Sequence, residues 1–458
     1  MRIRGTAAIA VGLLLAAASC SSSSGGGASG TTTAGTPTSG AGGNTSSPTT
    51  GGNTSSPTTG VDGGKNAASD QGVTPTTIKI GFVNAATGIA ASSFGPAAYA
   101  AAKARIELAN DQGGVHGRKI ELLAGDDQSV PEQNLSLLKS FNEQQKVFAL
   151  AVVSPMFFAG YRYTADKGIP VTSAGIDGSP YGAKDSQNMF AAIGSLDPTY
   201  KAGDAQGKWL KERGVTTLGV LAYANSPSSV GAAKSEAKSA ELAGIKTVMN
   251  LNIPFGSTDF TAAALQFKQA NVDGLLTAQV LSSNIAAVKA MKAAGISLKA
   301  SIIDSAYSQE ILDNPDARET MQGIGLISGI RPLFLNSPGT TDMRSALKKY
   351  ANYDKPNPTQ GQIYGWQAAD LMVRGLQDAG QNPTRQSFIA NLLKVNNYEM
   401  NDLLGGPVDF SKYGWVQQST NANCLWMVVA QGDTFVTDPS DGKPICNTGL
   451  VPGTEQAK

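Results

Sequence analysis

Few residues of this sequence have the types and spacing that catalysis requires. The chain has a single histidine, His116, and no nucleophile or set of metal-ligating residues is spaced around it. Asp126 and Asp127 have the chemistry of an acid–base pair, but Gln128 and Ser129 directly after them favour a helix cap instead. The sequence also lacks the glycine-rich motifs that bind nucleotide phosphates. We therefore expect no catalytic residues, no metal site and no cofactor.

Residues suited to binding a small molecule stand where predicted strands end. Ser and Gly leave backbone N–H groups free to hold an anionic group at a helix N-terminus, and aromatic side chains can cover an apolar ligand. The candidates are Ser93, Phe94, Ser154, Met156, Phe157, Ser173, Ala174, Gly175, Tyr223, Asn225, Gln279, Asp304 and Tyr307. The alternative for each is an ordinary loop residue or a core side chain. The site is favoured for Ser154, Ser173 and Asp304, whereas Phe158 and Tyr364 fit the core at least as well.

The elements that position these residues alternate between strand and helix. Residues 78–83 are apolar enough for a buried strand, and Pro96 stands where a first helical turn tolerates proline. The helix 97–110 ends at a glycine stop and leads to a second strand, 119–124. Further strands are expected at 147–153, 169–175, 190–194, 217–223, 247–253, 272–280, 298–304, 323–330 and 425–430, and late helices at 362–379 and 385–394. The pattern predicts an α/β fold with doubly wound parallel sheets.

The residue identities of the first strand–helix–strand unit are more specific than its pattern of strand and helix. The stretch ANDQGGVHGRKIELLAGDDQS resembles the Leu/Ile/Val-binding protein family, most strongly over 110–127 and more thinly to about residue 445. The resemblance implies a type I periplasmic binding fold with two lobes and a multi-crossing hinge. Residues 76–195 with 331–404 are expected to form lobe one, and residues 196–330 with 405–450 lobe two.

The resemblance also implies a function. Ligands of doubly wound sheets bind at the carboxyl ends of the strands, so two such lobes are expected to close around a small molecule. The family consists of extracytoplasmic receptors that deliver a solute to the permease of an ABC-type importer, which itself uses the ATP. The alternative is a sensor of the same fold that acts on a membrane signalling partner. An enzyme would turn the ligand over, whereas a receptor returns it unchanged.

Three departures from the family's amino-acid site bear on the ligand. In the stretch 172–176, Gly175 or Ile176 falls where a hydroxyl donor is expected, and Val230 stands where the family usually has Tyr. Ala306 lies near the place of the acidic residue, with Asp304 two residues earlier. A missing partner leaves a buried charged group unpaired, at a cost of ~1–3 kcal/mol.

The expected ligand is therefore larger than a leucine-like amino acid and partly apolar. Met156, Phe157, Tyr223 and Tyr307 would supply apolar surface. Ser154 and Ser173 would supply hydrogen bonds, and Asp304 would meet any cationic group.

The N-terminus has the features of a bacterial lipoprotein. Residues 1–20 contain a basic head, an apolar core and small residues before Cys20, although Ala17 stands where Leu is usual. We expect lipidation of Cys20 and anchoring to the outer face of the cell membrane; a plain secretory signal is the alternative. Residues 21–75 are rich in Ser, Thr, Gly and Pro, and such composition predicts a disordered linker.

The two remaining cysteines and the net charge bear on the compartment and on possible partners. Cys424 and Cys446 are left as an even pair, which predicts a disulfide in an oxidising compartment; two free buried thiols are the alternative. The formal net charge of +1 gives no indication of a nucleic-acid partner.

Overall fold

Two β-sheets organise the part of the chain that the structure describes. This computed structural model describes residues 65–191, 202–304, 307–412, 424–448 and 450–451, all within one compact unit, residues 62–458. Among these residues no helix is both long and apolar enough to cross a membrane. Each sheet with its covering helices forms one lobe of an α/β fold, as the sequence predicts.

The first sheet contains five parallel strands: β1 (Thr77–Asn84), β2 (Lys119–Asp126), β3 (Ala149–Val153), β4 (Val171–Ser173) and β5 (Met189–Ala191). Their order is β2-β1-β3-β4-β5. β1 is buried along most of its length, including Ile80 and Phe82, because helices cover both faces of the sheet. The helices are α1 (Ala91–Phe94), α2 (Pro96–Asp111), α3 (Pro131–Lys139) and α4 (Tyr161–Asp166), with a π-helical turn at Ser140–Gln144 and a 3₁₀ turn at Phe157–Ala159.

After a short strand, β6 (Ala202–Gly203), the second sheet is built from β7 (Thr217–Tyr223), β8 (Lys246–Ile253), β9 (Gly274–Thr277), β10 (Ala300–Ile303), β11 (Gly325–Ser328), β12 (Cys424–Gln431), β13 (Thr434–Thr437) and β14 (Ile445–Cys446). The strands from β7 to β11 run parallel, and β12 to β14 are antiparallel. A final strand, β15 (Leu450–Val451), pairs with β6. The helices are α5 (Ala205–Glu212), α6 (Pro227–Leu242), α7 (Thr261–Gln269), α8 (Leu281–Ala293), α9 (Gln309–Asp313) and α10 (Pro315–Thr320).

Three helices between β11 and β12 belong to the first lobe: α11 (Pro338–Ala351), α12 (Gln360–Asp378) and α13 (Arg385–Leu392). α12 approaches α2 so closely that a Cβ on Gly365 would stand 1.9 Å from the backbone oxygen of Ala98. Only glycine permits that contact. α12 and α13 correspond to predicted helices, whereas the sequence pattern does not indicate α9, α10 or α11.

The predicted disulfide is present between Cys424 and Cys446. The two cysteines stand opposite each other on the antiparallel strands β12 and β14. Beside them Trp426 is fully buried, and its Nε1 donates to the backbone oxygen of Gly442 at 3.0 Å. The C-terminal strands are thus fixed to the second sheet by a covalent bond and a buried indole.

The predicted lobe bounds stay a prediction. The first expected crossing, between residues 195 and 196, falls outside the described residues. The other two, at 330–331 and 404–405, are described, and beside them the backbone N–H of Arg331 donates to the oxygen of Leu403 at 2.7 Å. Phe410 packs against Phe190 of β5 with ring centroids 5.6 Å apart, which favours a boundary later than residue 405.

Candidate functional site

The strand-end loops of the two lobes touch each other. Gly178, in the loop after β4, lies so near the start of α6 that a Cβ on it would stand 2.8 Å from the backbone nitrogen of Ser228. A Cβ on Gly256, after β8, would stand 2.1 Å from Cδ1 of Ile89, in the loop after β1. Both glycines have positive φ, +78° and +75°, which other residues rarely adopt. The carboxyl ends of the two sheets therefore face each other across a closed cleft.

Ser154 lies at the end of β3 with its hydroxyl already engaged. The side chain is fully buried, its Oγ donates to Asp127, and it accepts from the backbone N–H of Met156 at 3.0 Å. Asp127 also accepts from Nδ2 of Asn134 at 2.8 Å, and burial raises the pKa of its carboxyl. This network fixes the loops after β2 and β3, so the assignment of Ser154 to ligand binding stays a prediction.

The loop after β4 carries a buried carboxyl that the sequence pattern does not single out. Ser173 is buried and its Oγ accepts from the backbone N–H of Gly175 at 3.0 Å, so its hydroxyl hydrogen remains available to donate. Asp177 accepts from the N–H of Ser179 at 2.9 Å and from the hydroxyl of Tyr181 at 2.7 Å. Burial raises the pKa of Asp177 to about 6. These contacts hold the loop that presents Gly178 to the other lobe.

Ser93 and Phe94 lie in α1 against the start of α12. Ser93 is buried, and neither its Oγ nor Oε1 of Gln360 has a hydrogen-bond partner in the described structure. A Cβ on Gly361 would stand 3.1 Å from the backbone oxygen of Ser93. The helical turns that carry Ser93 and Gln360, in α1 and α12, therefore lie against each other. Phe94 stacks on Tyr364 at 5.8 Å with an interplanar angle of 6°. The region combines aromatic surface with unsatisfied polar atoms, and sequence reasoning missed Gln360.

The other predicted residues of the first lobe divide between core and cleft. Phe157 is fully buried and packs 6.3 Å from Tyr181, as a core aromatic would. Ala174 is also fully buried, while Met156 keeps 8% of its surface exposed. Gly175 adopts a φ of +77°, which a glycine tolerates at the turn after β4.

In the second lobe both predicted tyrosines have protein partners for their hydroxyls. Tyr223 is buried, donates to Oγ of Ser283 at 2.7 Å, and packs 4.6 Å from Phe255. Tyr307 is buried, and its hydroxyl donates to Oδ1 of Asn357, shortly before α12, at 3.2 Å. Burial raises the pKa of both phenols. Tyr307 thus joins the second lobe to the first.

Gln279, in the loop after β9, has a free side-chain donor. It is 3% exposed, its Oε1 accepts from Oγ1 of Thr277 at 2.9 Å, and its Nε2 has no partner among the described residues. A buried donor without a partner costs ~1–3 kcal/mol unless a ligand or water satisfies it. Asn225 is exposed at the end of β7.

Asp304 follows β10 and stands next to a second acid. Glu236, in α6, is buried with 7% exposed, and its Oε1 accepts from Nε2 of Gln206 at 3.2 Å. Burial and the adjacent Asp304 raise the pKa of Glu236, and burial raises that of Asp304 as well. The described residues contain no group of three or more side chains that could hold a metal ion.

The two lobes thus meet at the carboxyl ends of their strands. Sequence comparison identifies the family. Residues 77–434 match the model of the periplasmic binding protein family. The chain belongs to this family. It is 24% identical over 292 residues to Leu/Ile/Val-binding protein homolog 1 of Brucella melitensis, a match that covers 62% of this chain and 74% of that protein.

Solved structures confirm the type I periplasmic binding fold. A fatty acid ABC transporter substrate-binding protein from Thermomonospora curvata is similar over 87% of this chain and 96% of its own, with 20% identity and a TM-score of 0.65. An ABC transporter solute binding protein from R. palustris in complex with benzoate is similar over 83% of this chain and 98% of its own, with 18% identity and a TM-score of 0.63. Family membership implies an extracytoplasmic solute-binding role.

Proposed function

We propose that this periplasmic binding protein captures a small, partly apolar organic molecule between its lobes and delivers it to an ABC-type importer. The observation that carries the proposal is the closed cleft, in which Gly178 approaches the backbone of α6 too closely to leave room for a side chain and Gly256 contacts the side chain of Ile89. At the strand-end side of the lobes, buried polar atoms of Ser93, Gln279 and Gln360 have no hydrogen-bond partner among the described residues. A ligand that binds between the lobes would satisfy them.

The proposed ligand is not a branched-chain amino acid. The unpartnered atoms of Ser93, Gln279 and Gln360 belong to neutral hydroxyl and amide groups, and Ser173 can add one further donor. Phe94, next to Ser93 in α1, and Met156, in the loop after β3, supply apolar surface. One structural neighbour is named for a fatty acid, and another is in complex with benzoate. Both support the capacity of this fold to hold partly apolar molecules.

Calorimetric titration against leucine, isoleucine and valine tests the ligand class. We expect no heat of binding from any of the three, because the hydroxyl donor, the tyrosine and the acid expected in an amino-acid site are absent or displaced. Submicromolar binding of one of them would reject the proposed class and restore the amino-acid assignment.

We also propose that acyl chains on Cys20 anchor the protein to the membrane. Residues 1–64 lie outside the described structure, so the proposal rests on the sequence. Cys20→Ala is expected to release the protein into the medium or to block its processing, as cell fractionation would show. Membrane association equal to that of the unmodified chain would refute the lipid anchor.

A further inference from the structure

Gln279 lies where the strand order of the second sheet reverses. The parallel strands of that sheet are ordered β8-β7-β9-β10-β11, so β8 and β9 flank β7 on opposite sides. Ligands of doubly wound sheets bind in the crevice that such a reversal leaves at the carboxyl ends of the strands. Gln279 follows β9 at this point. Its neighbours in the chain are held in place, because Oγ of Ser229 donates to the oxygen of Ala278 at 2.6 Å. The N–H of Val280 likewise donates to the hydroxyl of Tyr223 at 3.3 Å.

The side-chain amide of Asn284, next to Gln279, is fixed in its orientation. Its Nδ2 donates to the backbone oxygens of Gln279 at 2.9 Å and of Asp304 at 2.7 Å. Carbonyl oxygens only accept, so the nitrogen must lie on this side and uses both of its hydrogens. Oδ1 of Asn284 therefore faces Thr277, whose Oγ1 lies 2.9 Å away. Both side chains are fully buried.

The hydroxyl of Thr277 lies between two oxygen atoms but has only one hydrogen to donate. Oδ1 of Asn284 and Oε1 of Gln279 each lie 2.9 Å from its Oγ1. One of these oxygens is therefore left without a hydrogen bond from Thr277, and Nε2 of Gln279 has no acceptor among the described residues.

Half a turn of the Gln279 amide about its last side-chain bond removes this conflict, because it exchanges the oxygen and the nitrogen. Nε2 of Gln279 then donates to Oγ1 of Thr277, and Thr277 donates to Oδ1 of Asn284. Of the three side chains, only the oxygen of Gln279 then lacks a partner. The network is better satisfied in this orientation, and the group that it leaves over is an acceptor.

We propose that Thr277 and Asn284 hold the Gln279 amide with its oxygen towards the cleft, and that the captured molecule donates an O–H or N–H hydrogen to this oxygen. A buried acceptor without a donor is costly, so a molecule that supplies one binds in preference to one that does not. The ligand class is therefore a partly apolar molecule with a hydroxyl or N–H group. Thr277 and Asn284 are positioning residues. The ligand class rests on the proposed function, whereas the orientation of the amide does not.

Neutron diffraction from crystals of the deuterated protein tests the orientation, because it locates deuterium atoms directly. We expect deuterium on the Gln279 atom that faces Thr277, and the Thr277 hydroxyl deuterium directed at Asn284. The Nδ2 atom of Asn284, with deuterium towards both backbone oxygens, is the internal control. Deuterium only on the Gln279 atom that faces away from Thr277 would overturn the proposal. This measurement needs no ligand, so its outcome is independent of the receptor function.

Mass spectrometry in D₂O tests the ligand class. The molecule that copurifies with the full chain is released, and its exchangeable hydrogens other than those of carboxylic acids are counted. We expect at least one, on a hydroxyl or N–H group. A molecule with none would overturn the donor requirement and leave the receptor function intact. If no molecule copurifies, the receptor function fails, and the neutron result still decides the orientation of Gln279.

Thr277→Val and Thr277→Ser separate positioning from packing. Valine fills a similar volume without a hydroxyl, so the Gln279 amide is no longer held, and affinity for the copurified molecule is expected to fall about tenfold. Serine keeps the hydroxyl and should retain the affinity of the unmodified protein. Calorimetric titration of the stripped variants measures both. Equal losses in the two variants would show that the Thr277 hydroxyl does not position Gln279.

Discussion

Replacing Gly178 with alanine is expected to weaken ligand binding by about 100-fold while the chain remains folded. Gly178 has a φ of +78°, and a Cβ there would stand 2.8 Å from the backbone nitrogen of Ser228 and 3.1 Å from the carbonyl carbon of Pro227. The backbone of α6 cannot yield as the end of a flexible side chain can. The lobes would therefore have to stay apart, and the closed state would lose population. Small-angle scattering and calorimetry on one preparation measure both effects.

Gly168→Ala is the matched control for this substitution. Gly168 also has a positive φ, +59°, but nothing lies within 4 Å of its Cβ position. Both variants carry the same kind of backbone strain, and only Gly178→Ala obstructs the contact between lobes. Equal affinities for the two variants would show that closure at Gly178 does not contribute to binding.

Replacing Arg118 with methionine is expected to lower the free energy of unfolding by about 3–5 kcal/mol. Arg118 is fully buried, and its guanidinium donates to the backbone oxygens of Thr74 at 2.7 Å, Ala67 at 2.8 Å and Gln381. It also donates to Oδ1 of Asn382 at 3.1 Å. Methionine keeps much of the volume but leaves these acceptors without donors. Urea unfolding at constant pH measures the loss.

Arg162→Met provides the comparison for Arg118. Arg162 forms an ion pair with Asp185 in which both side chains are more than half exposed, at 61% and 54%. Exposed pairs contribute little to stability, so no measurable change is expected. Unfolding midpoints that coincide for the two methionine variants would contradict the structural role of Arg118.

The sequence was sufficient for the lobes and the disulfide because both follow from local signals. Apolar segments such as 217–223 coincide with a strand, since a buried parallel strand needs apolar residues on both faces. The expected strand 272–280 is shorter in the structure, Gly274–Thr277, because residues 278–280 form the connection to α8, for which Val280 is the N-cap. An apolar run by itself does not mark the residue at which a buried strand ends.

The site was less predictable because its chemistry depends on contacts between distant segments. Tyr307 has the composition of a ligand-covering residue, but its hydroxyl meets Asn357, fifty positions later. Glu236 stands in the segment KSEAKSAEL, which is typical of a solvated helix face, and only its packing next to Asp304 makes it unusual. No pattern within one segment reports such burial.

The central claim is that the chain holds a small, partly apolar molecule between its lobes and returns it unchanged. Native mass spectrometry of the freshly purified protein, before any denaturing wash, tests this most directly. We predict one bound organic molecule per chain, released intact on denaturation, with a mass that differs from those of leucine, isoleucine and valine. A bound branched-chain amino acid, or a chain that carries no molecule, would contradict the account.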